Sequence, residues 1–391
     1  MKKIIYIADS LTPIWGAYKA MASLLENLAT KDITPLIVVA RDEPCLETYR
    51  SAGIQVEVLN YFSSIYPKIT SIKDLLLFIP RLVRKLVFNS IATIRLINIA
   101  KIFEPDLIHS NVSLTAIGYY TARLLKIPHI WHIREYGGDK DFNLHYYPCR
   151  HIQSKRYQTL NSYTICITKD IQKYNHLGAL NTSKVIYDGV LSSSKQTYVM
   201  NKKPYFLFAG RLEHVKGVLP LIDAYALYCK QHQFSLPLYI AGSGTPEYTH
   251  LIKNKIQEYD IEDKVMLLGV RKDILELYKN ARAFIVPSLA EGFGFITAEA
   301  MFCGCLVIGN NTAGTKEQFD NGLEMTGEEI ALRYTKQEEL VQHLIDVTNN
   351  STRHYEPMIL RAQQVVAQLY STEKHAERVY EFYNYILNQN T

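Results

Sequence analysis

Six cysteines, Cys45, Cys149, Cys166, Cys229, Cys303 and Cys305, are scattered over 391 residues, and no two stand at C-x-x-C spacing. That excludes a disulfide framework or a zinc site as the organising device and makes a reducing compartment the default. No complete Gly-x-Gly-x-x-Gly follows a strand pattern, which disfavours a dehydrogenase. No stretch approaches the ~20 apolar residues of a membrane span. The opening run Ile4–Ala8 is too short for a signal peptide before Asp9 and fits a buried first strand. Short-period repeats and low-complexity tracts are missing as well. Charge of one sign is also scarce: 43 Lys plus Arg face 38 Asp plus Glu, a formal net of +5. That is too little for a general nucleic-acid binder.

What is present is a chain that is 48% hydrophobic and 21% charged, able to bury two cores. Short apolar runs at Ile4–Ala8, Leu36–Ala40, Gln55–Leu59, Leu107–His109, His129–Ile133 and Tyr163–Ile167 alternate with helical periodicity. The pattern resets after a polar stretch at 192–204 and repeats through Tyr205–Ala209, Leu238–Ala241, Val265–Leu268, Ala283–Val286 and Leu306–Ile308. Such alternation predicts βαβ units, hence two doubly wound α/β domains with parallel sheets. The expected division is 1–195, 196–370 and a C-terminal helix at 371–391 packing toward the first domain. Ligands of such sheets bind beyond the carboxyl ends of the strands, so the βα loops are where function is sought.

Three of these loops carry chemistry. In Gly210-Arg211-Leu212-Glu213-His214-Val215-Lys216-Gly217, a planar guanidinium and an ammonium lie five residues apart. This suits phosphate oxygens, although either cation alone reads as a solvated surface charge. In Glu291-Gly292-Phe293-Gly294-Phe295-Ile296-Thr297-Ala298-Glu299, two carboxylates flank a glycine turn and a helix start. Glycines let a ligand approach the backbone, and a helix N-terminus favours a diphosphate. The bland alternative is that Glu299 complements the helix dipole and Glu291 is solvated. Gly242-Ser243-Gly244 reads equally well as a nucleotide loop or a short βα turn.

Together these motifs resemble the family-4 glycosyltransferases (glycosyl transferases group 1), retaining nucleotide-sugar enzymes of GT-B architecture. Supporting matches in the same order are Leu268-Gly269, Asp273 through Tyr278, Pro287-Ser288 and Glu299-Ala300-Met301-x-x-Gly304. The C-terminal half matches well. The N-terminal half matches more loosely, through Gly16-Ala17, Trp131-His132-Ile133-Arg134-Glu135 and Val185-Ile186-Tyr187-Asp188-Gly189-Val190. The resemblance implies two Rossmann-like domains facing a central cleft, the first for the acceptor and the second for the nucleotide sugar. It implies that Arg211 and Lys216 neutralise the leaving diphosphate and that Glu299 holds the ribose. Glu291 and the backbone of Gly292, Phe293, Gly294 and Phe295 would hold the donor sugar. His132 would lie near the reacting face, and Gly16 and Gly242 would line the donor site. The implied donor is a UDP-sugar, used with no cofactor or metal, and the implied acceptor is a glycan or polyprenyl-linked hydroxyl in surface polysaccharide assembly. Two departures stand out. Pro13-Ile14-Trp15-Gly16-Ala17 has one glycine where many members have two, so Trp15 would reshape the pocket. Ala281-Arg282-Ala283 stands where many members place an Asp, a change expected to alter local packing only.

Asp139-Lys140-Asp141 has the Asp-x-Asp form that holds Mn²⁺ or Mg²⁺ elsewhere, but one loop offers too few converging oxygens, and a solvated acidic loop is the reading kept. His109, at a strand end, reads as a hydrogen-bonded structural residue. The charge surplus is local. Between Lys68 and Lys101 lie seven cations and one acid, Asp74, a net of +6 that exceeds the total. On a helix after Pro80, Arg81, Arg84, Lys85 and Arg95 share one side with Phe88, while Val83, Leu86, Val87, Ile94 and Ile97 take the other. Two readings stay open: a core-packed helix with a solvated basic side, or a basic face touching an anionic membrane. The second puts a cytoplasmic protein peripherally on the inner face of that membrane. A nucleotide-sugar epimerase on the same fold and a catalytically idle partner of another transferase remain alternatives.

Overall fold

Ile4, Tyr6 and Ala8 face one side of the first strand and Ile5 and Ile7 the other, and both sides are dry. This two-sided burial is why the strand reads as a continuous apolar run rather than an alternation. The structure is a computed structural model and describes residues 1–8, 11, 16–137 and 145–389. The chain divides into two compact units, Met1–Gly189 with His375–Thr391, and Val190–Lys374.

The first unit holds seven parallel strands: β1 (Lys2–Ala8), β2 (Ile33–Val39), β3 (Gln55–Val58), β4 (Leu107–Ser110), β5 (His129–Ile133), β6 (Ser162–Cys166) and β7 (Ser183–Val185). Their order is β3-β2-β1-β4-β5-β6-β7, so the chain reverses its direction of winding at β1/β4. One face is covered by helix Gly16–Leu28 through Met21, Leu24 and Leu28, and by helix Thr372–Gln389 through Ala376, Val379, Phe382, Tyr383 and Ile386. The other is covered by helix Phe78–Phe103 through Ala92, Leu96 and Ala100, and by Ile117 and Ala122.

The second unit has six parallel strands: β8 (Phe206–Ala209), β9 (Leu238–Ala241), β10 (Val265–Gly269), β11 (Ala283–Val286), β12 (Val307–Asn310) and β13 (Leu332–Tyr334). The order is β10-β9-β8-β11-β12-β13, with the reversal at β8/β11. Phe206, Phe208, Ile240 and Ile285 pack on Val218, Leu221, Ile222 and Tyr225 of helix Val218–Gln231. The stretch expected as a linker is tied down within this unit. Gln196 Nε2 donates to the Gln363 carbonyl at 2.6 Å, and Gln363 Nε2 donates back to the Thr197 carbonyl at 2.8 Å. Arg282 meets its packing role: its guanidinium bonds the carbonyls of Val347 and Asn350, where helix Gln337–Asn349 ends with free acceptors.

Helix Phe78–Phe103 corrects the sequence reading twice. Among the described residues it is long and apolar enough, by length and composition, to cross a membrane; the interrupting Arg81, Arg84, Lys85 and Arg95 had hidden that. Its orientation is also inverted. The core seam is Ala92, Leu96 and Ala100, while Val83, Leu86, Val87 and Ile94, expected inside, are exposed. Of the four cations expected outside, Arg84 and Arg95 are exposed. Lys85 instead donates to the Ile65 carbonyl at 2.9 Å, and Arg81 pairs with Asp74 at 2.6 Å. Small alanines let the helix lie close on the sheet, which no larger side chain on its apolar arc would allow. Leu96→Ala should therefore lose about 2–5 kcal/mol of stability, and Ile94→Ala less than about 0.5 kcal/mol, measured by urea unfolding. Equal losses would show that the buried seam had been misplaced.

Candidate active site

In the second unit, the three loops converge because their glycines leave no room for anything larger. A Cβ on Gly217 (φ +69°) would lie 2.0 Å from the Pro287 carbonyl oxygen, so the cationic loop rests directly on the loop after β11. Leu289 N–H donates to the Val215 carbonyl at 2.8 Å and closes the seam. Lys216 is thereby set against Glu291, Nζ to Oε1 at 2.6 Å, and Ser288 Oγ donates to the same oxygen at 2.8 Å. Both charged side chains are mostly buried, at 14% and 10% exposure. A surface ion pair is worth little, but this one is held in place from three sides. Arg211 is more open, 3.0 Å from Glu213 Oε1.

Gly294 (φ +90°) turns the chain into helix Phe295–Phe302, whose first N–H groups have no partners within the helix. The turn is anchored from behind. Gln318 Nε2 donates to the carbonyls of Phe293 and Gly294 at 2.6 and 3.0 Å, and the Phe293 ring packs edge-on against Tyr370. Phe293 is thus an anchor by its side chain, and only its backbone is available to a ligand. Glu299, the fifth residue of the helix, is buried. Gly292 is partly exposed. Gly242 has a structural reason to be glycine: a Cβ there would lie 1.8 Å from the Gly210 carbonyl oxygen, and Gly210 N–H donates to the Ala241 carbonyl at 3.0 Å. So Arg211, Lys216, Glu291, Gly292 and the Gly294 turn stand on adjacent loops at the carboxyl ends of β8 and β11. Gly242 serves first to let β8 and β9 end side by side.

The first unit buries a second constellation. Arg134 Nη1 donates to both carboxylate oxygens of Asp188, at 2.7 and 2.9 Å, its Nε donates to the Asn111 carbonyl at 3.1 Å, and its Nη2 lies 3.2 Å from His132 Nδ1. His109 Nε2 is also 3.2 Å from His132 Nδ1, and His109 Nδ1 is 2.6 Å from the Tyr383 hydroxyl. Since a guanidinium only donates, His132 Nδ1 accepts and its proton sits on Nε2, 3.6 Å from Asp188 Oδ1. His375 Nε2 approaches the same oxygen at 3.9 Å. His132 is fully buried with Nε2 unbonded. Gly16 opens helix Gly16–Leu28, where the Ala17 carbonyl accepts from Asn111. Trp15 and Asp139-Lys140-Asp141 lie outside the described residues.

Ligand atoms of His132, Asp188 and His375 all fall within 4.8 Å of one another, a donor set that metals use. A dication there would sit beside the Arg134 guanidinium, with one carboxylate already committed to that guanidinium, so the residues fit a proton-holding network better than a metal. His109 is the structural residue the sequence suggested. Arg134, Asp188 and His375 were given no role by the sequence. Two of them stood inside motifs noted for other reasons, whereas His375 is separated from His132 by 242 intervening residues and carries no local signal. A cavity of about 530 Å³, lined by Tyr119, Arg123, Lys126, His129 and Asn161, opens at the amino ends of β5 and β6, the wrong end of the sheet for this fold's ligands.

Comparison with known proteins fits this geometry. Anabaena HepE, solved with UDP and glucose, superposes with a TM-score of 0.74 at 19% identity, covering 98% of this chain and 100% of that one. The fold is GT-B, two parallel-sheet α/β units. Residues 192–365 match the family model of the glycosyl transferases group 1. An uncharacterized glycosyltransferase of Methanocaldococcus jannaschii is 31% identical over 34% of this chain and 37% of its own. The phosphatidylinositol N-acetylglucosaminyltransferase gpi3 subunit of Schizosaccharomyces pombe is 27% identical over 59% of this chain and 50% of its own. The chain thus spans half or less of the length of these two curated relatives.

Burial pushes the pKa of His109 down to about 3, helped by Arg134, and pushes those of His129, His132 and His375 well below the usual histidine range. Burial also raises Asp188, to about 6, against the pull of Arg134. Below the ordinary histidine value near 6.5, the unfolded chain takes up four protons that the folded chain refuses. Asp188 returns about one as pH falls from 6 to 4. Stability should therefore be level above pH 7 and fall as pH drops below about 6.5, where the unfolded histidines take up protons. Urea titrations at these pH values check this, and a flat profile would mean the histidines are solvated.

Proposed function

We propose that this protein is a retaining glycosyltransferase. It moves a sugar from a nucleoside-diphosphate sugar, a UDP-sugar first, to a hydroxyl of a glycan or lipid-linked acceptor in surface polysaccharide or glycoconjugate synthesis, in the cytoplasm. The observation that carries the reading is the fixed meeting of Lys216 with Glu291, 2.6 Å apart, on loops that end two neighbouring strands. The family-model match over residues 192–365 supports the reaction class, and the UDP in the HepE structure supports the choice of nucleotide.

In this reading Arg211 and Lys216 face the diphosphate, where negative charge grows as the sugar–phosphate bond breaks. Groups already fixed before the reaction need no reorganisation, which is why such charges are effective. Glu291 and the N–H groups of Gly292 through Phe295 hold the sugar, and Glu299 holds the ribose hydroxyls. The bond from the anomeric carbon to the donor phosphate breaks, the acceptor oxygen bonds to that carbon on the same face, and the acceptor proton passes to the departing phosphate. Cations and backbone N–H groups balance the diphosphate charge, so the reading calls for no metal cofactor.

Lys216→Ala and Glu299→Ala should each lower transfer by about 10²- to 10³-fold in protein that circular dichroism shows to be folded. Near-wild-type turnover in either variant would refute the assignment. UDP and UDP-sugars should raise the melting temperature by mass action, and EDTA should leave turnover unchanged. Sugar interconversion without any acceptor would show an epimerase instead.

A further inference from the structure

One surface of the first unit has the wrong polarity for water. Helix Ile72–Leu76 and the N-terminal two-thirds of helix Phe78–Phe103 expose Ile72, Leu75, Leu76, Ile79, Val83, Leu86 and Ile94; Ile72 is 81% exposed and Ile79 63%. At 100° per residue, Ile79, Val83, Leu86, Val87 and Ile94 fall within about a 100° arc. That arc lies opposite the seam of Ala92, Leu96 and Ala100 that packs on the sheet. Scattered exposed apolar residues need no explanation, but a continuous stripe over two helices does.

The charge around the stripe says what covers it. Lys68, Lys73, Arg84, Arg95 and Lys101 are all exposed, at its two ends and along one edge. The segment's one acid, Asp74, is spent on Arg81 and on the hydroxyls of Thr70 and Ser71. Within residues 68–101 that leaves no uncommitted carboxylate; the next acid, Glu104, lies beyond the helix end and pairs with Lys3. The Arg84 guanidinium lies over the Phe62 ring, 5.2 Å from its centroid, which keeps it at the rim. An apolar arc edged by cations is the composition of helices that lie in the headgroup region of anionic membranes. A water-soluble partner would need an apolar groove ringed by acids. The helix does not cross the bilayer, because the side opposite the stripe is committed to the protein's own core.

We propose that this stripe docks the protein flat on an anionic lipid bilayer, with Ile72, Leu76, Ile79, Val83, Leu86 and Ile94 entering the apolar boundary and Arg84 and Arg95 reaching headgroup phosphates. The contact is the apolar face of the helix, not the basic face the sequence suggested. It does not depend on the reaction proposed above.

Flotation of the full chain tests it, with phosphatidylcholine vesicles with and without phosphatidylglycerol. The wild type should float with the anionic vesicles. The triple variant Ile79→Glu/Val83→Glu/Leu86→Glu should lose about tenfold or more of that binding. Arg84→Ala/Arg95→Ala should reduce the preference for anionic over neutral lipid. All these positions are exposed, so urea midpoints should match the wild type and separate lost docking from lost folding. Equal flotation with neutral vesicles, or undiminished binding of the triple variant, would overturn the proposal. So would a soluble dimer in sedimentation that the triple variant abolishes, since the stripe would then belong to a second copy.

Discussion

A guanidinium taken out of water must take its counter-charge with it. In the first unit that obligation organises the end of the sheet. Arg134 follows β5 into the interior, and Asp188, just beyond β7, is the carboxylate that meets it. The histidines nearby are then held neutral. His132, His109 and His375 are kept deprotonated first by burial and then by repulsion from the guanidinium. The proton positions follow from the same rule: Arg134 and His109 both aim at His132 Nδ1, and Tyr383 fixes His109 from the other side. Helix Thr372–Gln389 is part of this arrangement, since it supplies both Tyr383 and His375.

The second unit handles charge in the opposite way. Lys216 and Glu291 keep a fraction of their surface in water and are positioned by backbone contacts rather than by a sealed interior. The steric demand falls on glycines. Gly217 and Gly242 stand where a carbonyl oxygen occupies the space a Cβ would need. The resulting loops cannot separate without opening the ends of β8, β9 and β11 together. A rigid, half-wet cationic corner suits an anion that must enter and leave, whereas the sealed corner of the first unit suits groups that stay.

Much of this was legible from the chain alone. Strand–helix alternation gave both sheets, because buried parallel strands announce themselves as apolar runs. The cationic loop and the carboxylate pair could be found because their spacing is local. The missed strands β7 and β13 have three residues each and sit at sheet edges, too short to register a period. Asp188 and His375 acquire meaning only through partners far away in sequence, for which no local pattern exists. Gly242 looked like a ligand loop because glycine marks close approach without saying what approaches; here it is the chain itself. The long helix was misread for a different reason. A helical wheel with apolar and basic sides does not state which side faces the core, and a seam of two alanines and one leucine, Ala92, Ala100 and Leu96, decided it against the bulkier side.

That reversal bears on the formal charge of +5. The cations of residues 68–101 exceed the whole surplus, which first suggested that the basic side of the helix faced outward. In the fold some of them are used inward: Lys85 caps backbone carbonyls at Ile65 and Arg81 neutralises Asp74. What remains at the surface is a margin of lysines and arginines around a bare apolar stripe. Charge alone would bring any anion near this surface, and it would be screened by salt over about 8–10 Å. An apolar stripe alone would associate with any greasy surface, another copy of the chain included. The two together are what the proposed bilayer contact rests on, and the seam of Ala92, Leu96 and Ala100 beneath holds the helix in the orientation that presents them.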